Sequence, residues 1–432
     1  MLNSRYSLIK VAAPSTERSF QNPSTMAQLQ ESIPANASAP TRILQIISSM
    51  NPDFGGPPEG AGQICRSLRS LGLSADLASL DEPGTGWGCD CSMIRLGPSR
   101  WGRYAYSDRL LAWLRANAQK YNAVIVHGLW QYQGLATWRA LKGTGVPYYV
   151  FPHGMLDPWF KHQYPIKHLK KRLYWPWAEY RVLRDAQAVL FTTEEECQLA
   201  RQTFWPYSVN EAVVGYGIAD PPRSERAELR AAFMRRHPEL QDKRIVLFLG
   251  RLHPKKGCDL LIDSFAAVAH RDPTLHLVMA GPDQKGYQAQ LMRQAERQGV
   301  ASRICWTGMI KDDIKWGAYN SAEVFALPSH QENFGISVAE ALACRVPVLI
   351  SNKVNIWREI TAGSAGIVAD DTSSGTTELL TKWLDLSALE RERMGHNALA
   401  CFRKHFHVES SIDRLISTIR AHRCTPQYTS AA

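Results

Sequence analysis

The sequence predicts an α/β protein built from two doubly wound, Rossmann-like halves. Short apolar runs recur at 43–47, 123–127, 147–151 and 188–192, and again at 244–250, 275–280, 323–327 and 346–350. Segments with helical periodicity separate them, and strands that alternate with helices form parallel sheets covered on both faces. Between the two series lies Asp220-Pro221-Pro222, a break that neither a helix nor a central strand tolerates.

In chain order, residues 1–40 are rich in Ser, Pro, Asn, Gln and Ala and lack the apolar core of a secretory leader. They read as a disordered extension, with Met26 a candidate start. Residues 41–220 form the first expected domain. Its strand 43–47 runs through Phe54-Gly55-Gly56-Pro57 into a helix from Ala61 to Leu71, and further helices are expected over Ser107–Lys120 and Ile166–Arg184. Residues 221–395 form the second domain, in which Pro328 stops the strand 324–327 and an Ala-rich helix follows from Ile336 to Ala343. Residues 396–432 supply a last helix, from Val408 to Ile419, and a tail. A ligand belongs in the cleft, at the C-terminal ends of strands from both halves.

Four loops at such strand ends carry chemistry. Glu332 sits on the loop after 324–327 and Glu340 inside the following helix. Between them Asn333-Phe334-Gly335 places backbone N–H groups at a helix start, where unpaired donors and the macrodipole favour an anion. Strand 244–250 delivers Arg251 and Lys256, two cations five residues apart that can converge on one anionic group. Val146–Phe151 ends at Pro152-His153-Gly154, and His153 projects there while Gly154 permits close backbone approach. Gly55 and Gly56 let the backbone approach a phosphate, although the spacing is not that of a dinucleotide fingerprint. Asp157, before Pro158, fits a turn as well as a site.

Glu332 and Glu340, eight positions apart, resemble the E-x7-E signature of the family-4 (group 1) retaining glycosyltransferases of the GT-B fold, and the likeness runs over residues 41–420. Ala280-Gly281-Pro282, Trp306-Thr307-Gly308-Met309 and Arg345-Val346-Pro347-Val348 also match that family's landmarks. The resemblance implies that Arg251 and Lys256 bind the donor diphosphate and that Glu332 holds the donor sugar. It further implies that Glu340 holds the ribose, that the Met309 backbone meets the base, and that His153 faces the sugar. Gly55 and Gly56 would close over the donor phosphates from the first domain. Two departures stand out: Asn333 where Gly is usual, and Asn352-Lys353-Val354-Asn355 where a Gly-Gly turn is common.

Composition bounds the rest. With 45% hydrophobic and 21% charged residues the chain is ordinary for a globular protein, and no apolar run approaches the ~18 residues of a membrane span. Nine scattered cysteines without framework spacing suggest free thiols in a cytoplasmic protein. Asp-x-Asp is absent, so the Arg251/Lys256 pair would replace a metal ion and no tightly bound cofactor is expected. The net charge of +10 concentrates in part at 159–184, where seven Lys and Arg face only Glu179 among interleaved Trp, Tyr and Phe. That stretch fits an anionic membrane surface such as the inner face of the plasma membrane, and no nucleic-acid module accompanies it. The expected activity is transfer of a sugar, with retention, from a UDP- or GDP-sugar to a lipid-linked or saccharide acceptor in surface polysaccharide synthesis. The alternatives are a nucleotide-sugar epimerase or hydrolase of the same fold, or a non-catalytic protein that binds membrane or nucleic acid.

Overall fold

The structure, a computed structural model, describes residues 41–89 and 91–423; the extension expected over 1–40 lies outside them. Two parallel sheets organise the chain. The first contains β1 (Arg42–Ile47), β2 (Ser74–Ser79), β3 (Ser92–Arg95), β4 (Ala123–His127), β5 (Tyr148–Phe151), β6 (Ala188–Phe191) and β7 (Glu211–Val213). The second contains β8 (Arg244–Leu249), β9 (Leu275–Ala280), β10 (Ile304–Gly308), β11 (Val324–Leu327), β12 (Val348–Ser351) and β13 (Gly366–Ala369). Their orders, β3-β2-β1-β4-β5-β6-β7 and β10-β9-β8-β11-β12-β13, are both doubly wound. In each sheet the order reverses beside the first strand, at β1/β4 and at β8/β11, so loops leaving neighbouring strands diverge and open a crevice there.

The sequence pattern identifies the buried strands best. The central strands β4, β5, β6, β11 and β12 are buried along their whole length, which is why they read as continuous apolar runs. Five strands carry no such signal. β3, β7, β10 and β13 lie on or beside sheet edges and are mostly half-buried, and β2 mixes Ser and Asp into a buried strand.

Both faces of the first sheet are covered. Leu44, Val124, Val150 and Phe191 join one core, while Ile43, Ile125, Tyr149 and Leu190 join another. This second core also takes in Ile412, Leu415 and Ile419 of the last helix, Val408–Arg423. The chain therefore returns to the first sheet after completing the second, and where it does so Ile218 N–H donates to the Phe406 carbonyl while Val408 N–H donates to the Ile218 carbonyl.

One expected helix is broken. Residues 165–184 form a helix Pro165–Tyr174, a π-helical turn Trp175–Glu179 and a short helix Tyr180–Arg184. The extra residue per turn places Trp175 and Glu179 inside while Trp177 points out. A second correction concerns the thiols: Cys89 and Cys91 are joined as a disulfide, whereas Cys65, Cys197, Cys258, Cys305, Cys344 and Cys401 are free. Cys91 N–H donates to the Cys89 carbonyl at 2.7 Å, a tight turn that spacing alone does not reveal. Among the described residues no helix is long and apolar enough to cross a membrane.

Candidate active site

Every chemistry-bearing loop identified from the sequence leaves the C-terminal end of a strand at or near a switch point. Gly55 and Gly56 follow β1 and open the helix Gly56–Ser70. His153 follows β5, Arg251 and Lys256 follow β8, and Glu332 to Gly335 follow β11. The loops converge from both sheets. A Cβ built on Gly55 would lie 4.0 Å from Nη2 of Arg251, and one on Gly56 would lie 3.5 Å from Ile336. Tyr216, after β7, donates its hydroxyl to the Gly56 carbonyl at 2.8 Å and packs its ring on Phe334 at 5.0 Å.

Lys256 and Glu332 form an ion pair across the second sheet's switch point. Gly257 permits the approach: its φ is +66°, and a Cβ there would collide with the Pro328 carbonyl at 2.1 Å. Burial, reinforced by the neighbouring charges of Lys255 and Arg251, pulls the Lys256 ammonium down to about 7. Glu332 offsets only one of the three cations gathered here, so the site favours an anionic ligand. The unexpected Asn352–Asn355 segment has a structural use here. Glu332 N–H donates to the Lys353 carbonyl at 2.9 Å, and Asn355 N–H donates to the Glu332 carbonyl at 3.0 Å. Backbone pairing thus fixes the direction of the Glu332 side chain.

Glu340 points into a pocket at the base of the cleft, where it accepts hydrogen bonds from Lys315 Nζ at 2.7 Å and Tyr319 OH at 3.0 Å. Lys315 and Tyr319 stand four apart on the helix Asp312–Ser321 and so share one face. A cavity of about 480 Å³ lies here, bounded by Glu340, Ile336, Lys315, Trp316, Tyr216 and Arg66. The helix Ile336–Ala343 begins at Gly335, φ +83°, with Asn333 and Phe334 before it. Phe334 is 5% exposed and packs between Tyr216 and Phe406, so its side chain joins the lobes and only its backbone is offered to a ligand. Met309 stands at the end of β10 with a side chain 53% exposed.

The histidine site is more elaborate than the sequence suggests. His153 takes φ +51°, and its Nε2 lies 3.0 Å from Nδ1 of His127, the last residue of β4. His127 Nε2 in turn lies 2.8 Å from Gln45 Oε1. Gln45 donates through Nε2 to the Ala61 carbonyl, which leaves its Oε1 to accept. The relay is then determined: His127 donates to Gln45 and accepts from His153, and Nδ1 of His153 remains as an acceptor. Burial drops His153 to about 4, and burial followed by His153 itself drives His127 well below the usual histidine range, so both rings are neutral near pH 7.

Sequence reasoning missed Glu196, which organises this loop. Its buried carboxylate accepts from Gly154 N–H at 2.5 Å, Thr192 N–H at 2.8 Å and Thr192 Oγ1 at 2.6 Å. In the sequence it looks like the third residue of an ordinary capped helix, with Thr193 as N-cap. Thr192 then accepts from Asn333 Nδ2 at 3.1 Å, and Asp157 accepts from Gln331 Nε2 at 2.8 Å. Asn333 therefore crosses the cleft to the first lobe, a task the usual Gly could not perform. Two groups of metal-ligand side chains occur among the described residues, Cys65–Cys89–Cys91 and His237–Glu239–Cys305, and neither contains a residue of the cleft.

Known proteins resemble this arrangement. The family described as "Glycosyl transferases group 1" matches residues 230–400, and "Glycosyl transferase 4-like domain" matches 55–217. The chain is 25% identical over 283 residues to mannosylfructose-phosphate synthase of Agrobacterium fabrum, covering 61% of each protein. It is 27% identical over 260 residues to D-inositol 3-phosphate glycosyltransferase of Rhodococcus opacus, covering 55% of this chain and 54% of the relative. The matched region thus spans less than two thirds of the length of these curated relatives. Among solved structures, sucrose-phosphate synthase from Thermosynechococcus elongatus superposes with a TM-score of 0.69 at 18% identity, over 88% of this chain and 98% of that one. Anabaena HepE in complex with UDP and glucose gives 0.68 at 17%, over 88% and 100%. These structural likenesses establish the fold, GT-B.

Proposed function

Because the chain belongs to the group 1 glycosyltransferases, we propose that it transfers a sugar, with retention, from a UDP-sugar to an acceptor hydroxyl held by the first lobe. The observation that carries this reading is the convergence of Arg251, Lys256, Glu332 and the start of helix Ile336–Ala343 on one point of the cleft. Arg251 and Lys256 would take the diphosphate together with the helix N-terminus and stabilise it as it leaves. Glu332 would turn from Lys256 to the sugar hydroxyls, and Glu340, oriented by Lys315 and Tyr319, would accept from the ribose. His153 would accept a sugar hydroxyl through Nδ1. In this scheme the bond from the anomeric carbon to the diphosphate breaks, the acceptor oxygen bonds on the same face, and the departing phosphate oxygen takes the acceptor proton. Cationic side chains replace a metal ion. UDP is favoured over GDP by a neighbour of the same fold whose structure contains UDP.

A surface feature supports a membrane-borne acceptor of the kind used in polysaccharide assembly. Helix Pro165–Tyr174 buries none of its residues. Ile166, Leu169, Leu173 and Trp177 are 75, 57, 69 and 72% exposed and form a stripe along it. Exposed Lys161, Lys167, Lys170 and Arg172 belong to the same segment. Apolar residues directed outward within a cationic field suit the interface of an anionic bilayer.

The donor reading is tested by calorimetric titration of UDP and GDP into the wild type and Lys256→Ala without added metal. Wild type should bind UDP, and the variant should bind it at least tenfold more weakly. Absence of nucleotide binding, with or without metal, would overturn the transferase reading.

A further inference from the structure

The first lobe contains a second cavity, of about 540 Å³, which the donor does not need. Leu129, Trp130 and Gln131 from the loop after β4 and Met155 from the loop after β5 form its inner wall. The first of these loops follows directly on His127 and the second carries His153, so the cavity lies beside the histidine pair. Its outer wall is the helix Pro165–Tyr174 with the residue before it, through Tyr164, Lys167, His168 and Lys171.

Three observations define what the cavity would hold. First, Arg103, Lys167, Lys170 and Lys171 all line it, and none forms a salt bridge among the described residues. Lys171 feels the buried Glu179 carboxylate nearby, and the other three, with no ion-pair partner among the described residues, call for an anion. Second, Trp130 is held at φ +67°, a costly conformation for a bulky residue, and its indole N–H is buried with no partner among the described residues. Its ring lies 5.1 Å from Phe204, and Lys171 Nζ sits 4.5 Å from its centre. Aromatic rings beside cations suit a sugar, which offers its C–H face to the rings and its hydroxyls to the charged groups. Third, successive helix residues diverge: Lys167, His168 and Lys171 face inward while Ile166, Leu169 and Leu173 face outward. One helix thus separates the cavity from the apolar stripe.

We propose that this cavity is the acceptor subsite and that the acceptor is a saccharide carried on a phosphate or diphosphate ester. The phosphate would lie among Lys167, Lys170, Lys171 and Arg103, and the sugar against Trp130, with a hydroxyl directed toward His153. This assignment rests on the transferase reading above. A free sugar phosphate and a lipid-linked sugar share the recognised chemistry; the outward apolar stripe favours the lipid-linked form.

The test uses the full chain, with UDP saturating and again without it, titrated with glucose 1-phosphate and with glucose. A second arm measures co-sedimentation with neutral phosphatidylcholine vesicles carrying polyprenyl diphosphate-linked glucose. Glucose 1-phosphate should bind at least tenfold more tightly than glucose, and K167A/K170A, at two exposed positions, should remove that advantage while UDP affinity stays unchanged. W130F, which replaces the indole by a smaller ring and so removes stacking area, should weaken binding several-fold. Binding of both the soluble and the vesicle probe identifies the phosphate ester alone as the determinant, and binding of the vesicle probe only adds the lipid. Equal affinity for glucose and its phosphate, failure of both phosphate probes, or wild-type affinity in K167A/K170A would overturn the proposal. Failure of UDP to bind would count against the donor site alone, because the phosphate probe is also titrated without UDP.

Discussion

Glu196 shows how one residue far from any recognisable motif can hold a site together. Its carboxylate is buried and accepts three hydrogen bonds from Thr192 and Gly154, fixing the loop that presents His153. Burial raises its pKa while these bonds oppose the rise. Glu196→Ala leaves two buried N–H groups unpaired and should cost on the order of 3 kcal/mol, read as a lower urea midpoint. Glu196→Gln keeps an acceptor oxygen and should recover part of the loss. His153 allows a pH prediction with a definite sign. Its folded value is about 4 against an ordinary 6.5, so between these pH values the unfolded chain binds the extra proton. Stability should therefore fall as pH drops through that window, by up to about 3 kcal/mol from this group. His153→Asn should flatten the slope of unfolding free energy against pH, and an unchanged slope would refute the buried neutral ring. Both residues bear on what a sequence reveals. Arg251, Lys256, Glu332 and Glu340 are legible because Gly or Pro punctuates apolar strands beside charged groups of fixed spacing. His127 and Gln45 are not, because their partners lie in other strands and only the sheet order brings them together, and Glu196 is not, because its local bonds to Thr192 look like ordinary helix capping while Gly154 arrives from the loop after another strand.

At the scale of the element, legibility follows burial. Runs such as Val324–Leu327 are apolar because both faces of the strand are covered, whereas Glu211–Val213 and Gly366–Ala369 sit at sheet edges and carry little signal. Segment 165–184 is the clearest case of a correct composition with an incorrect geometry. Its aromatic and basic residues are evident, yet a continuous helix would rotate Trp177 and Glu179 to other faces. The π-turn at Trp175–Glu179 instead buries Glu179 near Lys171, where burial lifts the carboxyl to about 7. The outward stripe makes a prediction for this element alone. Leu169→Ser/Leu173→Ser removes two large exposed side chains and no buried contact, so UDP affinity and thermal midpoint should stay at wild-type values. Co-sedimentation with vesicles of phosphatidylcholine and phosphatidylglycerol should fall at least tenfold, since each buried leucine is worth about 1.5–3 kcal/mol. Wild-type sedimentation would mean that the stripe does not enter the bilayer. Added salt should weaken the remaining, charge-driven attachment.

At the scale of the molecule, the contacts between lobes matter most, because substrates from the two sides must meet in one geometry. Asn333 bonds Thr192, Gln331 bonds Asp157, Arg358 pairs with Glu195, and Phe334 packs between Tyr216 and Phe406. The tightest approach is at Gly154, with φ +74° and an ideal Cβ position 2.7–2.8 Å from the Asn333 side chain. Gly154→Ala therefore carries two costs of different origin. One is local strain of an alanine in the left-handed region, about 1 kcal/mol. The other is steric and acts between the lobes, so it should widen the cleft and separate His153 from the donor pocket. Asn333→Gly removes the obstructing atoms and loses the hydrogen bond to Thr192. A double-mutant cycle separates the two costs. If the lobes meet as described, Gly154→Ala lowers UDP-sugar affinity in the wild-type background and has a much smaller effect in the Asn333→Gly background, leaving only the backbone term. Additive losses would show that the affinity change arises within the His153 loop and that closure against Asn333 has no part in donor binding.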